Sequence, residues 1–218
     1  MTIRHSLKYI SDFLFSEKEW VRDYAQAPDY YVAAGNPVKG VSLTDASVEV
    51  FDCNNKRQLI VAGNSMAPRA IYDGDRITFT VYDNPQEEKI ERGTFVVIKV
   101  DEEYYRSHNK KSKFKNKLRC AICKVDPDIS YPKFLEAVKQ VEQTAYLEEY
   151  QKELENKFKD ARAYYDPSEP LMLSVTYKNG EMHYSLHPVN LIKGKVEKVE
   201  RYNSGMHKWE KVSPRVLI

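Results

Sequence analysis

The chain has no run of about 18 apolar residues, the length a membrane-spanning helix needs, so no helical span is expected. No secretory signal is expected either, because Asp12, Glu17 and Glu19 interrupt the only apolar patch near the start of the sequence. Cysteine is scarce. Cys53, Cys120 and Cys123 are an odd count, which argues against a disulfide framework and for reduced thiols in a cytoplasmic protein. Net charge is only +2, so any contact with nucleic acid must come from local clustering. Internal repeats and low-complexity tracts are absent, as are the two Asp-Thr/Ser-Gly motifs of an aspartic protease.

What is present suits a soluble domain with a real core: 218 residues, 42% hydrophobic and 30% charged. Four regions follow from the patterning. Residues 1–31 read as a helical arm: Ile3, Leu7, Ile10 and Leu14 make one apolar stripe, and Ser16 with Glu19 forms a capping box for a second short helix. So short an arm cannot bury a core of its own and must pack on something else. Residues 32–127 begin as a Gly/Pro-containing loop and turn strand-like from Ser47, with runs at 58–62, 76–82, 95–98 and 118–125. The stretch between the last two is polar and reads as loop. Residues 128–171 form a helical insertion, with a stripe from Phe134 to Ala161 that is either one helix of about 50 Å or two with a bend. Residues 172–218 return to strands around an Asn179-Gly180 hairpin turn. The expected class is mostly β (α+β).

The most informative stretch is Val61-Ala-Gly-Asn-Ser-Met-Ala-Pro-Arg-Ala-Ile-Tyr-Asp-Gly-Asp75. A strand ends, a glycine turn follows, and Ser65 stands at the corner. An acyl-transfer nucleophile needs such a rigid, accessible bend, with backbone N–H groups nearby for the oxyanion. Asp73 and Asp75 read as turn residues bonding backbone amides, and not as a catalytic carboxylate pair.

Gly63-Asn64-Ser65-Met66 with Asp73-Gly74-Asp75 resembles the nucleophile segment of the LexA/UmuD-type self-cleaving serine peptidases, which signal peptidases share. Gly93-Thr94-Phe95-Val96-Val97 resembles that family's next strand, and Leu186-His187-Pro188-Val189-Asn190 its late turn. The resemblance implies a LexA/signal-peptidase-like β-fold and a Ser-Lys dyad, with Ser65 as nucleophile and Met66 and Gly63 forming the oxyanion corner. The lysine base must sit in apolar surroundings, because burial is what lowers an ammonium toward neutral pH. Lys124, in Cys120-Ala-Ile-Cys-Lys124-Val, fits that description and the family's Val-Lys strand; Lys117 and Lys99 are the alternatives. Val32-Ala33-Ala34-Gly35 resembles the family's cleavage segment, so the expected cut is between Ala34 and Gly35. By resemblance the protein would dimerise, answer a RecA-like filament and act in a DNA-damage or phage-type response.

Other constellations point less far. Cys120-x-x-Cys123 with His183 and His187 has the residue types of a zinc site, but residues three apart on a strand face opposite ways and there is no second Cys pair. No metal or cofactor is expected. No histidine stands where a Ser-His-Asp triad would place it. The stretch 106–119 carries seven Lys and Arg and no acid; such a patch can follow a phosphate backbone, but a solvated loop is the more common outcome and the expected one. Cleavage of other proteins, or a silent binding module on the same fold, are the alternative functions.

Overall fold

A computed structural model describes residues 31–33, 55–108, 115–141 and 147–215. Residues 1–30 of the expected N-terminal arm, the strand residues Val48 and Val50, the cleavage residues Ala34 and Gly35 and Cys53 lie outside the described residues, as do residues 109–114 of the basic stretch; Tyr31, expected at the end of the helical arm, is a strand residue instead.

The described chain is mostly β. Nine strands form one sheet: β1 (Tyr31–Ala33), β2 (Lys56–Ala62), β3 (Arg76–Val81), β4 (Phe95–Lys99), β5 (Asn116–Val125), β6 (Leu171–Lys178), β7 (Glu181–Pro188), β8 (Ile192–Asn203) and β9 (Lys208–Val212). The order is β1-β2-β3-β8-β4-β5-β6-β7, with β9 pairing the C-terminal part of β8, beyond β4. The sheet curls far enough that β1 also pairs β5, so β1 bridges β2 and β5 and six strands close a ring. β1 runs parallel to both neighbours; the other pairings are antiparallel.

Closure buries both faces, and the sequence records it. In β4, Phe95 and Val97 join the larger core with Leu59, Val61, Ile77, Leu118 and Cys120, while Val96 and Ile98 join a second core with Ala121, Met172 and Ile192. A strand buried twice reads as an unbroken apolar run, as Phe95-Val-Val-Ile98 does. One glycine is demanded by this packing. A Cβ at Gly194 would lie 1.9 Å from the Thr80 carbonyl oxygen, where β8 presses on β3. The Asn179-Gly180 turn has φ of 53° and 85°, the paired positive values that join β6 to β7 in a tight hairpin.

The insertion is two helices, α2 (Tyr131–Val141) and α3 (Leu147–Tyr164). A single rod would hold its ends apart. Instead Phe134 and Phe158 stack with centroids 4.8 Å apart, which needs the chain to turn back between them. Phe134, Leu135 and Val138 face Leu154, Phe158 and Ala161 in the core, and Tyr150 of α3 meets Tyr184 of β7 edge-on at 5.6 Å. The polar stretch after β4 is not all loop: α1 (Glu102–Ser107) begins there because the Asp101 carboxylate accepts from the Glu103 and Tyr104 amides at 3.1 and 2.9 Å.

Candidate functional site

β2 runs out at Ala62 and the chain swings away through Gly63, whose φ of 93° a side chain would oppose. The bend is fixed by its own backbone and two carboxylates. Asp73 accepts from the Gly63 amide at 2.5 Å, Asn64 accepts from the Asp73 amide at 2.9 Å, and Asp75 accepts from the Tyr72 amide at 2.9 Å. Both oxygens of Asp75 also receive Arg201, from Nε at 2.8 Å and Nη2 at 2.9 Å. The two aspartates thus hold the turn, as expected. Burial pushes the Asp73 carboxyl up to about 6; the Gly63 amide opposes that rise and the Asp75 charge adds to it.

Within this frame a 3-10 turn at Ala67–Arg69 follows Met66, whose carbonyl accepts from the Arg69 and Ile71 amides at 2.9 and 3.3 Å. The Met66 side chain is fully buried. The Ser65 carbonyl accepts from the Tyr177 amide of β6 at 2.9 Å, which ties the corner to the neighbouring strand. The Ser65 hydroxyl is shielded from solvent and has no hydrogen-bond partner. Among the described residues the Ser65 and Met66 amides donate to no backbone carbonyl. Gly63 is different: its amide is committed to Asp73, so it shapes the turn and does not serve as an oxyanion donor.

The structure does not bring Lys124 to this corner. Lys124 pairs with Met172, at the opposite end of β6 from Tyr177. Those two positions are five steps apart along the strand, about 17 Å at 3.4 Å per step. Its amine instead donates to the Gln86 carbonyl. The pattern of small and apolar neighbours misled because a bulge between Ala121 and Cys123 turns the end of β5, leaving Lys124 half-exposed. Lys99 is exposed at the end of β4.

Lys117 is placed otherwise. It lies on the early part of β5, paired with Ala33 of β1 and Ile98 of β4. Its ammonium sits over the Tyr105 ring, 3.9 Å from the centroid. Burial pushes the amine down to about 7, and the Arg119 charge two residues along adds to that. This is the titration a general base near neutral pH requires. The sequence signal for it was weak, since Lys117 sits between Asn116 and Leu118 in a basic stretch and its burial depends on α1 folding Tyr105 over it.

β1 is the remaining element of the site. Its register with β2 pairs Tyr31 with Ile60, Val32 with Val61 and Ala33 with Ala62. The two strands run parallel, and Ala33 lies beside Ala62, three residues before Ser65. On its other edge Ala33 pairs Lys117. The segment ending at Ala33 therefore lies between the strand that leads to the serine and the strand that carries the buried lysine.

Cys120 is buried and Cys123 partly buried; both pack in the larger core and neither forms a disulfide. Among the described residues no group of three or more His, Cys, Asp or Glu gathers as a metal site, and no helix is long and apolar enough to cross a membrane. No family model matches the chain, and neither a curated protein nor a solved structure is significantly similar to it.

Proposed function

We propose that this chain is a serine peptidase that cuts its own Ala34–Gly35 bond, with Ser65 as nucleophile and Lys117 as general base, on a fold of the LexA/UmuD kind. The observation that carries the proposal is the parallel seating of Tyr31–Ala33 between β2 and β5, in a register that sets Ala33 beside Ala62, three residues before Ser65, and beside Lys117. An extended substrate held by main-chain pairing on both edges is oriented before any side chain acts.

In the proposed mechanism the neutral Lys117 amine takes the Ser65 hydroxyl proton as Oγ bonds to the Ala34 carbonyl carbon. The negative charge on the carbonyl oxygen is held by the Ser65 and Met66 amides. Lys117 then gives its proton to the Gly35 nitrogen as the C–N bond breaks, leaving an ester between Ser65 and Ala34, and water hydrolyses that ester with the same amine as base. In this structure the amine rests over Tyr105 and Ser65 Oγ has no partner. The reaction therefore requires a rotation of the lysine side chain, and catalytic hydrogen bonds commonly tighten only in the reacting complex. That same separation favours the second reading, a silent module whose slot between β2 and β5 binds an extended peptide without cutting it.

Incubating the full chain across pH 6–9 and weighing the products by mass spectrometry tests the first reading. A fragment beginning at Gly35, absent in Ser65→Ala and Lys117→Met, is the expected result. Cleavage that persists in either variant would refute the dyad, and an uncut wild-type chain would favour the binding module. The regulatory setting, a second copy and a RecA-like filament as partners, belongs to the same proposal.

A further inference from the structure

On the outer face of β5, Lys117 and Arg119 point into a cavity of about 120 Å³ closed by β4, β7, α1 and α3. Lys157 of α3 and His187 of β7 also line it. Arg119 is the anomaly. Its residue is only 9% exposed, and its guanidinium makes a single described bond, from Nη1 to the Leu118 carbonyl at 2.8 Å. Nε has no partner, and no carboxylate forms an ion pair with Arg119 among the described residues. His187 Nε2 is likewise shielded and unpartnered.

A buried guanidinium without a counter-charge is costly, and proteins rarely leave one so unless something else supplies the charge. The one carboxylate lining the cavity, Asp101, is already engaged: one of its oxygens caps α1 by accepting from the Glu103 and Tyr104 amides. With Asp101 set against Arg119, Lys117 and Lys157, the cavity keeps an excess of positive charge. Tyr105 and Ser185 add hydroxyl groups to the lining.

We propose that this cavity binds a phosphate group, with Arg119 as its principal anchor and Lys117 and Lys157 beside it. Phosphate suits the donor set better than a carboxylate: the lining offers a planar fork, two ammonium groups and hydroxyls, more donors than two oxygens can accept. A phosphate there also has a consequence for the site described above. Negative charge beside Lys117 holds the amine protonated, so bound phosphate slows the proposed self-cleavage; this consequence alone rests on the dyad.

The test uses full-length Ser65→Ala protein, which cannot consume itself, titrated calorimetrically with inorganic phosphate and, separately, with a nucleoside 5′-monophosphate in low-salt buffer at pH 7. Saturable binding of either ligand is expected, weakened at least tenfold by Arg119→Met and at least threefold by Lys157→Met. The Lys157 variant, on a half-exposed helix position, keeps the test valid if the Arg119 variant fails to fold. Equal binding of both ligands identifies free phosphate as sufficient, whereas binding of the monophosphate alone identifies a nucleotide-borne group. No saturable binding, or binding unchanged in both variants, overturns the proposal. If binding holds while wild-type protein never cleaves, the phosphate site stands and the dyad falls.

Discussion

Replacing Lys117 by methionine should inactivate the chain and stabilise it at once. A free lysine releases its proton at 10.5, and this one at about 7; at 1.36 kcal/mol for each unit between them, the charged form is disfavoured in the fold by about 5 kcal/mol. At pH 7 the folded amine is half neutral while the unfolded one is fully charged, so about 4 kcal/mol of destabilisation remains relative to an uncharged side chain of similar shape. Loss of the Tyr105 contact gives back about 1 kcal/mol, leaving a net gain of about 3. The sign with pH is fixed by linkage. Between pH 7 and 10.5 the unfolded chain binds the proton and the folded one does not, so wild-type stability rises with pH and the advantage of methionine fades to under about 1 kcal/mol near 10.5. Urea unfolding of Ser65→Ala and Ser65→Ala/Lys117→Met at matched pH values from 7 to 10 would measure it without interference from cleavage. If methionine destabilises the protein, or if the gap between the two proteins does not close with pH, Lys117 is not a desolvated amine and its assignment as the base fails.

Other substitutions separate chemistry from architecture. Ser65→Ala should leave the melting temperature within a few degrees of wild type while abolishing any Gly35-terminated fragment, since the hydroxyl makes no bond to lose. In wild type the rate of self-cleavage should climb through pH 7 and level off above about 8, following deprotonation of Lys117; a rate that falls over that interval would be incompatible with a lysine base. Asp73→Asn keeps an acceptor for the Gly63 amide and removes a buried charge, so it should stabilise by up to about 3 kcal/mol above pH 6 and by nothing below pH 3.8, as thermal melts at pH 3.5 and 7.5 would show. Gly194→Ala should cost more than about 2 kcal/mol, because the 1.9 Å approach is to backbone and neither strand can yield without breaking its ladder; near-wild-type urea stability would mean that β3 and β8 are not packed this closely.

The strands were legible because local chemistry decides them. Phe95–Ile98, Leu171–Tyr177 and the Asn179-Gly180 turn carry their own signals, an apolar run or a residue pair suited to positive φ, and they fold where those signals lie. The serine corner was legible for the same reason, its glycine, aspartates and proline all falling within a dozen residues. The lysine was not. Lys124 has the more apolar neighbours in sequence, but what desolvates a side chain is its neighbours in space. Those are set by a bulge that exposes Lys124 and by a six-residue helix that brings Tyr105 over Lys117. The helix itself was hidden in a polar stretch, marked by Asp101 as a cap and Glu102 and Glu103 in its first turn. Arg119 was hidden too: it ends the basic stretch and falls within the 118–125 strand run, and neither pattern shows that its guanidinium is buried.

The position of β1 gives the proposed cut a mechanical meaning. β1 is both the expected substrate and the strand that closes the ring, yet it contributes only three residues to each edge that it covers or fewer. While the chain is intact, β1 is covalently continuous with β2, and re-pairing after any opening is an intramolecular event with a high effective concentration. A cut after Ala34 severs that link. The released segment, held by main-chain bonds over three residues, then competes with water on equal terms and departs. What remains is a seam with unpaired backbone groups along Ile60–Ala62 of β2 and at Lys117 of β5, an edge of the type that accepts a strand from another chain. Cleavage would thus convert a closed ring into a docking slot. Hydrogen exchange would register the change as lost protection at Ile60–Ala62 in cut protein and as restored protection when a Tyr-Val-Ala peptide is added. Unchanged protection after cutting would mean that β1 stays bound and the seam stays shut.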